Sequence, residues 1–206
     1  MLGQGTYNKL VRIPGISAIL TKYRRELPFE DIHAHSLFEL VHAVATGMNL
    51  GTEETETLDG AALVHDCGKL LRPDFYNSTD IFSEDERSYV RLHTRFGHLI
   101  MDEHKIPEKI ATIADGHHEH CSDRYPRDVY SNGHDIPDER RRTDPEIFFL
   151  QQVFCACDFI DAQLRDRSYR AARPIKEVTE ELQRDFRGET RIVEAIQSQN
   201  LKQMYN

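Results

Sequence analysis

Seven side chains suited to metal binding run in order along the chain: His33, His65-Asp66, His93, His117-His118 and Asp158. Any fold that uses them must bring residues as far apart as 33 and 158 to one place. They take five of the eleven histidines. A closed structural zinc site needs four ligands. Seven nitrogen and oxygen donors with no thiolate suit two adjacent ions that share a carboxylate and leave positions open for water and a ligand. Iron and manganese are the ions such a set favours, and hydrolysis at phosphorus is the chemistry it points to.

The stretches between these residues carry helical periodicity. From Pro28 to Met48, Leu37, Leu40, Val41, Val44 and Met48 share one face, and His33 lies in line one turn upstream of Leu37, so it points inward. His35 and His42 fall on the opposite side and read as solvated. A second helix opens at Thr52-Glu53-Glu54 and runs through Leu58, Ala61, Ala62 and Val64 to an end at Gly68, which puts His65 and Asp66 on its last turn. Adjacent residues there can serve two different ions. A third helix is expected from a capping box, Ser83-Glu84-Asp85-Glu86, with Tyr89, Val90, Phe96, Gly97, Ile100 and Met101 around His93 and with His98 turned about 140° away.

Pro107 opens a helix through Ile110, Ile113 and Ala114, and Gly116 precedes His117-His118-Glu119-His120 at its end. Residues 121–143 lack periodicity, with turn signals at Tyr125-Pro126, Asn132-Gly133 and Pro137, and the run Arg140-Arg141-Arg142 reads either as solvated surface or as a substrate or partner contact. Helix returns from Pro145 through Leu164, where Phe148, Leu150, Val153, Phe154 and Ile160 are core residues and Asp158 interrupts them. A carboxylate placed there needs a cation. The last two helices, roughly 175 to 187 and 190 to 204, are separated by Gly188 and serve as packing elements.

With 206 residues and 39% hydrophobic content the chain supports one good core. Residues 1–206 therefore read as a single domain, with 1–27 an N-terminal helical extension and 175–206 C-terminal packing helices. The apolar stretch Leu10, Val11, Ile13, Ile16, Ile19 and Leu20 suits either packing on the bundle or a homodimer contact. A net charge of -9 disfavours a nucleic-acid polymer as partner and is compatible with a small anionic ligand held on metals. No run of about 18 apolar residues offers a membrane span, and Met1-Leu2-Gly3-Gln4-Gly5 has none of the features of a signal peptide, so the expectation is a cytoplasmic protein. Cys67, Cys121, Cys155 and Cys157 are too sparse for a disulfide scaffold and read as structural thiols.

The segment Ala61-Ala62-Leu63-Val64-His65-Asp66-Cys67-Gly68-Lys69 resembles the HD-x-GK core of the HD phosphohydrolase superfamily. The later His93, His117-His118-Glu119 and Asp158 resemble its HD-GYP branch. Asp158-Phe159-Ile160-Asp161-Ala162 and Asp166-Arg167-Ser168-Tyr169-Arg170 are similar to that branch's D-x-x-D-A and D-R-x-Y-R patterns. The likeness runs from about residue 29 to residue 173. It implies an all-α HD-type helical bundle of roughly seven or more helices with a dinuclear metal site in its core. Two divalent ions are implied, with Asp66 as the bridge, His33, His65 and Asp158 completing one site, and His93, His117 and His118 the other. Glu119 would orient one of the histidines.

The same resemblance implies a phosphodiesterase acting on a small nucleotide, cyclic di-GMP or a relative, through a hydroxide shared by the metals. Lys69, Arg167 and Arg170 match phosphate-contacting positions, which makes Lys69 a catalytic candidate beside Asp66. The plainer readings are a helix C-terminal charge for Lys69 and surface pairing with Asp161 and Asp166 for the arginines.

The branch's loop reads H-H-E followed by D-G-x-G-Y-P. Here Cys121-Ser122-Asp123-Arg124-Tyr125-Pro126 is one residue shorter, with Arg124 in the place of a glycine, which puts cyclic di-GMP itself in question. Some members carry a glutamate one turn before the first histidine that recruits a third ion; that place is Phe29, so two metals are expected. No sensor domain is seen, so regulation would come from a separate signalling partner or from substrate supply. Two other functions fit the ligand set: a mixed-valent di-iron oxygenase of the superfamily, and a non-catalytic nucleotide receptor.

Overall fold

The computed structural model describes residues 3–78, 86, 89–120, 144–166 and 171–205. Among them are eleven α-helices, one 3-10 segment and no strand, the all-α bundle expected. The helices are α1 (Gln4–Leu10), α2 (Pro14–Glu26), α3 (Pro28–Gly47), α4 (Thr52–Val64), α5 (Pro73–Tyr76), α6 (His93–Glu103), α7 (Glu108–Asp115), α8 (Pro145–Leu164), α9 (Ile175–Asp185), α10 (Thr190–Gln197) and α11 (Leu201–Met204). The 3-10 segment, Cys67–Leu71, follows α4.

Helices α3, α4 and α8 form the centre, with α7 against α4 and α8, and α6 on the 3-10 segment. Their starts are written locally. Prolines 14, 28 and 145 occupy first-turn positions, where a missing N–H costs nothing. The Asp144 carboxylate accepts the Glu146 and Ile147 N–H groups and caps α8. Leu37, Leu40, Leu58, Leu63, Val153 and Phe154 are fully buried where these helices meet.

The terminal segments join the same core. Leu10, Ile16, Ile19 and Leu20 are buried in it, as are Ile192, Ile196 and Leu201. Packing on the bundle is therefore how the N-terminal apolar stretch is used. Helix α8 is long and apolar enough by composition to cross a membrane, which the sequence reading did not register; 72% of its apolar window is buried inside the fold, as befits a core helix.

Several local expectations change. Helix α4 stops at Val64, and Gly68 does not end it through a left-handed conformation. Gly68 is instead a point of close approach. A Cβ there would collide with the His93 carbonyl and lie 2.6 Å from the Gly97 nitrogen, so only glycine lets the 3-10 segment lie on α6. His93 is the first residue of α6, not the middle of a longer helix; Ser83, Glu84 and Asp85 of the expected capping box lie outside the described residues. The C-terminal helix breaks at residues 198–200 into α10 and α11, where the Asn200 side chain accepts the Gln203 N–H. His35 and His42 do face away from His33, but they are half-buried under α1 and α4: His35 Nε2 lies 2.9 Å from the Tyr7 hydroxyl and His42 Nδ1 2.7 Å from Asp59. Cys67, Cys155 and Cys157 are buried free thiols. Cys121 lies outside the described residues.

Candidate metal centre

The seven side chains converge. His33 comes from α3, His65 and Asp66 from the junction of α4 with the 3-10 segment, His93 from the first turn of α6, His117 and His118 from the turn after α7, and Asp158 from α8. Three overlapping groups have ligand atoms mutually within 4.8 Å: His93, His117 and His118; His33, His65 and Asp66; and His65, His117 and Asp158. The first is one expected set, and the second is part of the other. In the third, His117 reaches across toward His65 and Asp158, so the two sides are less separate than the sequence suggests.

Asp66 lies between them with its oxygens turned opposite ways. Oδ1 is 3.2 Å from His93 Nε2 and 3.9 Å from His117 Nε2; Oδ2 is 3.2 Å from His65 Nε2 and 3.9 Å from His33 Nε2. Asp158 Oδ1 is 3.0 Å from His33 Nε2 and 3.6 Å from His65 Nε2. Two ligands each about 2.1 Å from one ion stand about 3.0 to 3.5 Å apart between right-angled and tetrahedral geometry, so the closest of these spacings are those of atoms ready to share a cation.

The hydrogen bonds on the far side of each ring fix which nitrogen faces the centre. His65, His93 and His117 donate Nδ1–H to the carbonyls of Ala62, Val90 and Ala114, and His33 donates Nδ1–H to Asp161 Oδ2 at 2.6 Å. A carbonyl or an ionised carboxylate only accepts, so Nδ1 holds a proton in each ring and Nε2 is the nitrogen turned inward. The consequence is clearest where His93 Nε2 and His117 Nε2 lie 3.1 Å apart. Two lone pairs at that distance need a proton or a metal between them. His65 Nε2 is buried without a well-formed hydrogen bond. These donors fit divalent metal ions.

Electrostatics say the same. Burial alone would raise the pKa of Asp66 and Asp158, yet both are held well below the usual carboxylate range, Asp66 by Lys69 and His65 and Asp158 by His33 and His65. Burial likewise disfavours charge on His65, but Asp66 and Asp158 outweigh it and push its pKa up to about 10. Burial and the neighbouring His65 take His117 down to about 3. Two carboxylates held ionised among buried rings form a site that demands positive charge.

Lys69 sits beside this centre, Nζ 2.7 Å from Asp66 Oδ2 and 3.1 Å from Glu30 Oε1. Glu119 is buried next to the histidine pair. Arg167, Arg170 and Arg124 lie outside the described residues. Sequence reading missed the support around His33. Asp161, fully buried, accepts from His33, from Ser36 Oγ at 2.7 Å, from the Tyr205 hydroxyl at 2.7 Å and from Arg165 Nε at 3.3 Å. The sequence signal for it was present: Asp161 is one turn beyond Asp158, and Ser36 one turn beyond His33, so both share the inward face. Nothing in the sequence pointed to Tyr205.

Residues 32–162 match the HD domain family. The chain belongs to this family. HD domains hold divalent metals, and the groups around Asp66 are where this one could do so. The fold is also that of the HD domain of the L. monocytogenes phosphodiesterase PgpH. Its structure in complex with cyclic-di-AMP is 19% identical with a TM-score of 0.56, covering 91% of this chain and 84% of that one. A second PgpH HD domain structure is 17% identical with a TM-score of 0.55, covering 91% and 86%. No curated protein matches the chain.

Proposed function

We propose that this HD domain is a metal-dependent phosphodiesterase of the HD-GYP type, cleaving a cyclic dinucleotide, cyclic di-GMP or a close relative, at a dinuclear centre. The observation that carries this reading is the placing of Asp66, whose two oxygens face two different groups of histidines. A bridging carboxylate is what joins two ions, and one ion alone would leave half the donors idle. His33, His65 and Asp158 would hold one ion and His93, His117 and His118 the other. Iron or manganese suits a donor set of imidazoles and carboxylates. Bound there, two such ions would supply a hydroxide at neutral pH by lowering the pKa of water, and would polarise the phosphoryl oxygens.

The chain's own part is to position and to neutralise. Asp161 holds the His33 ring with Nε2 inward, and backbone carbonyls do the same for His65, His93 and His117. Glu119 is assigned the corresponding task for the histidine pair. Lys69 brings a positive charge to the edge of the centre, where a phosphodiester would lie, with Arg167 and Arg170 as further phosphate contacts. Support for a cyclic dinucleotide comes from PgpH, a phosphodiesterase whose HD domain binds cyclic-di-AMP. We take residues 1–206 as one domain, because both terminal segments contribute to the same core.

The test is metal analysis of anaerobically purified protein, with hydrolysis of cyclic di-GMP, cyclic di-AMP and bis(p-nitrophenyl) phosphate followed in iron and in manganese. Two metals per chain with a linear dinucleotide or mononucleotide product is the expected result. Two metals with oxygen consumption and no ester cleavage would replace this reading with the oxygenase. Tight nucleotide binding without turnover would replace it with a receptor.

A further inference from the structure

A cleft of about 280 Å³ opens directly beside His33. Phe29 and Ile32, on the outer face of α3, are 40% and 54% exposed, and both line it. Burying either would be favourable by about 25 cal/mol per Å² of apolar area, so two neighbouring large apolar side chains left open beside a polar centre are positioned to receive something flat and apolar. Arg165 and Tyr205 line the cleft as well, the guanidinium carbon 5.0 Å from the centroid of the Tyr205 ring. Arg165 is held in place through Nε, which donates to Asp161. Its two terminal nitrogens make no hydrogen bond among the described residues, which leaves a planar fork of donors at the cleft.

We propose that this cleft receives one nucleobase of the nucleotide whose phosphate lies on the metals, and that Arg165 makes it a guanine pocket. The inference rests on the phosphodiesterase reading and deepens it. The volume is below the usual range for a whole ligand of dinucleotide size and suits one base, with the sugar and phosphate directed toward His33. Phe29 and Ile32 supply the apolar wall on which a base stacks, an interaction that tolerates any base because each has a π face. Selectivity then comes from the edge. Guanine presents two adjacent acceptors, O6 and N7, that match the terminal N–H groups of an arginine, whereas adenine presents one acceptor beside an amino donor. The Tyr205 ring beneath the guanidinium and the Asp161 carboxylate behind it keep the fork from turning away.

The experiment compares kcat/KM for cyclic di-GMP, cyclic di-AMP and bis(p-nitrophenyl) phosphate, a diester with no nucleobase, in wild type, Phe29→Ala and Arg165→Ala. Wild type is expected to favour the guanine dinucleotide over the adenine one by about ten-fold or more, and Arg165→Ala to bring that ratio close to one. Because both dinucleotides use the same metals, the ratio is insensitive to any disturbance of Asp161. Phe29→Ala should lower the ratio of dinucleotide to simple diester by about ten-fold. A guanine-to-adenine ratio that Arg165→Ala leaves unchanged, a preference for adenine, or a dinucleotide-to-diester ratio untouched by Phe29→Ala overturns the proposal. Cleavage of the simple diester but of neither dinucleotide overturns it too, while the phosphodiesterase reading stands. If no ester is cleaved that reading fails, and calorimetric binding of cyclic di-GMP to metal-loaded protein decides the cleft: at least ten-fold weaker binding in Phe29→Ala supports it, and equal binding overturns it.

Discussion

The Tyr205 hydroxyl donates to Asp161 Oδ1 at 2.7 Å, and Asp161 Oδ2 in turn holds His33 Nδ1–H at 2.6 Å, so a residue of the C-terminal segment is two hydrogen bonds from the centre. Burial and the adjacent Asp161 raise the Tyr205 pKa well above its ordinary value, which keeps the phenol a donor. Partners of this kind commonly govern metal affinity by 10–100-fold. Tyr205→Phe should therefore weaken binding of one of the two proposed metals by roughly ten-fold, and Asp161→Asn by more, with the other ion little changed. Metal titration followed by calorimetry reads this directly. A purely structural role for Tyr205 predicts a lower Tm with both affinities intact, and that result would remove the link.

The two oxygens of Asp66 face different groups of histidines, Oδ2 toward His65 and Oδ1 toward His93. Asp66→Ala should cost both ions, not one, and with them all turnover. His93→Ala, by contrast, touches one group and should leave about one metal per chain. Metal content by mass spectrometry separates the two. Two metals retained in Asp66→Ala, with activity, would falsify the bridging role.

Much of the centre was legible because helical periodicity sets which residues share a face. His33 in line with Leu37, and Asp158 interrupting an apolar face, both announced inward-facing polar side chains, and the all-α bundle followed from the same pattern. What failed to show was tertiary in origin. The reason for Gly68 is the nearness of the His93 carbonyl, contributed by another helix, and sequence alone offers a C-cap as the default reading of a glycine there. His35 and His42 read as solvated because the residues that cover them, Tyr7 and Asp59, belong to helices whose packing no local pattern encodes. Glu30 was passed over for its neighbour Phe29, yet it is Glu30 that is buried and meets Lys69.

Gly68 gives the third prediction. A methyl group at this position meets backbone on α6, which cannot yield as a side-chain tip can, so Gly68→Ala must push His93 away from Asp66. The expected outcome is a loss of about 1–3 kcal/mol in chemical denaturation together with weaker binding of the ion we assign to His93. Gly5→Ala, where an added Cβ has nothing within 4 Å, serves as the control. Equal metal binding in Gly68→Ala and wild type would show that the 3-10 segment and α6 can separate without cost to the centre.

The Asp59–His42 pair, apart from the metals, sets a pH dependence. Asp59 is buried against α3, and its pKa is pushed up to about 6 by loss of hydration, only partly offset by the hydrogen bond from His42. Its other oxygen, Oδ1, has no hydrogen-bond partner among the described residues. A folded-state pKa above the ordinary 3.8 means that the native state holds the proton longer than the unfolded chain does. The contribution of Asp59 to stability is then fully present below about pH 4, is lost as pH rises toward 6, and is flat above that. Asp59→Asn cannot ionise and still offers an oxygen to His42. The difference in unfolding free energy, variant minus wild type, should therefore grow between pH 4 and 6 by about 2–3 kcal/mol and then level off, so that the variant is relatively most favoured above pH 6. Denaturant titrations at half-unit intervals check this, since titrating groups remote from Asp59 cancel in the difference. A flat difference across that window would mean that Asp59 is ionised in the folded protein at pH 4, with hydration or a partner that its buried position does not provide.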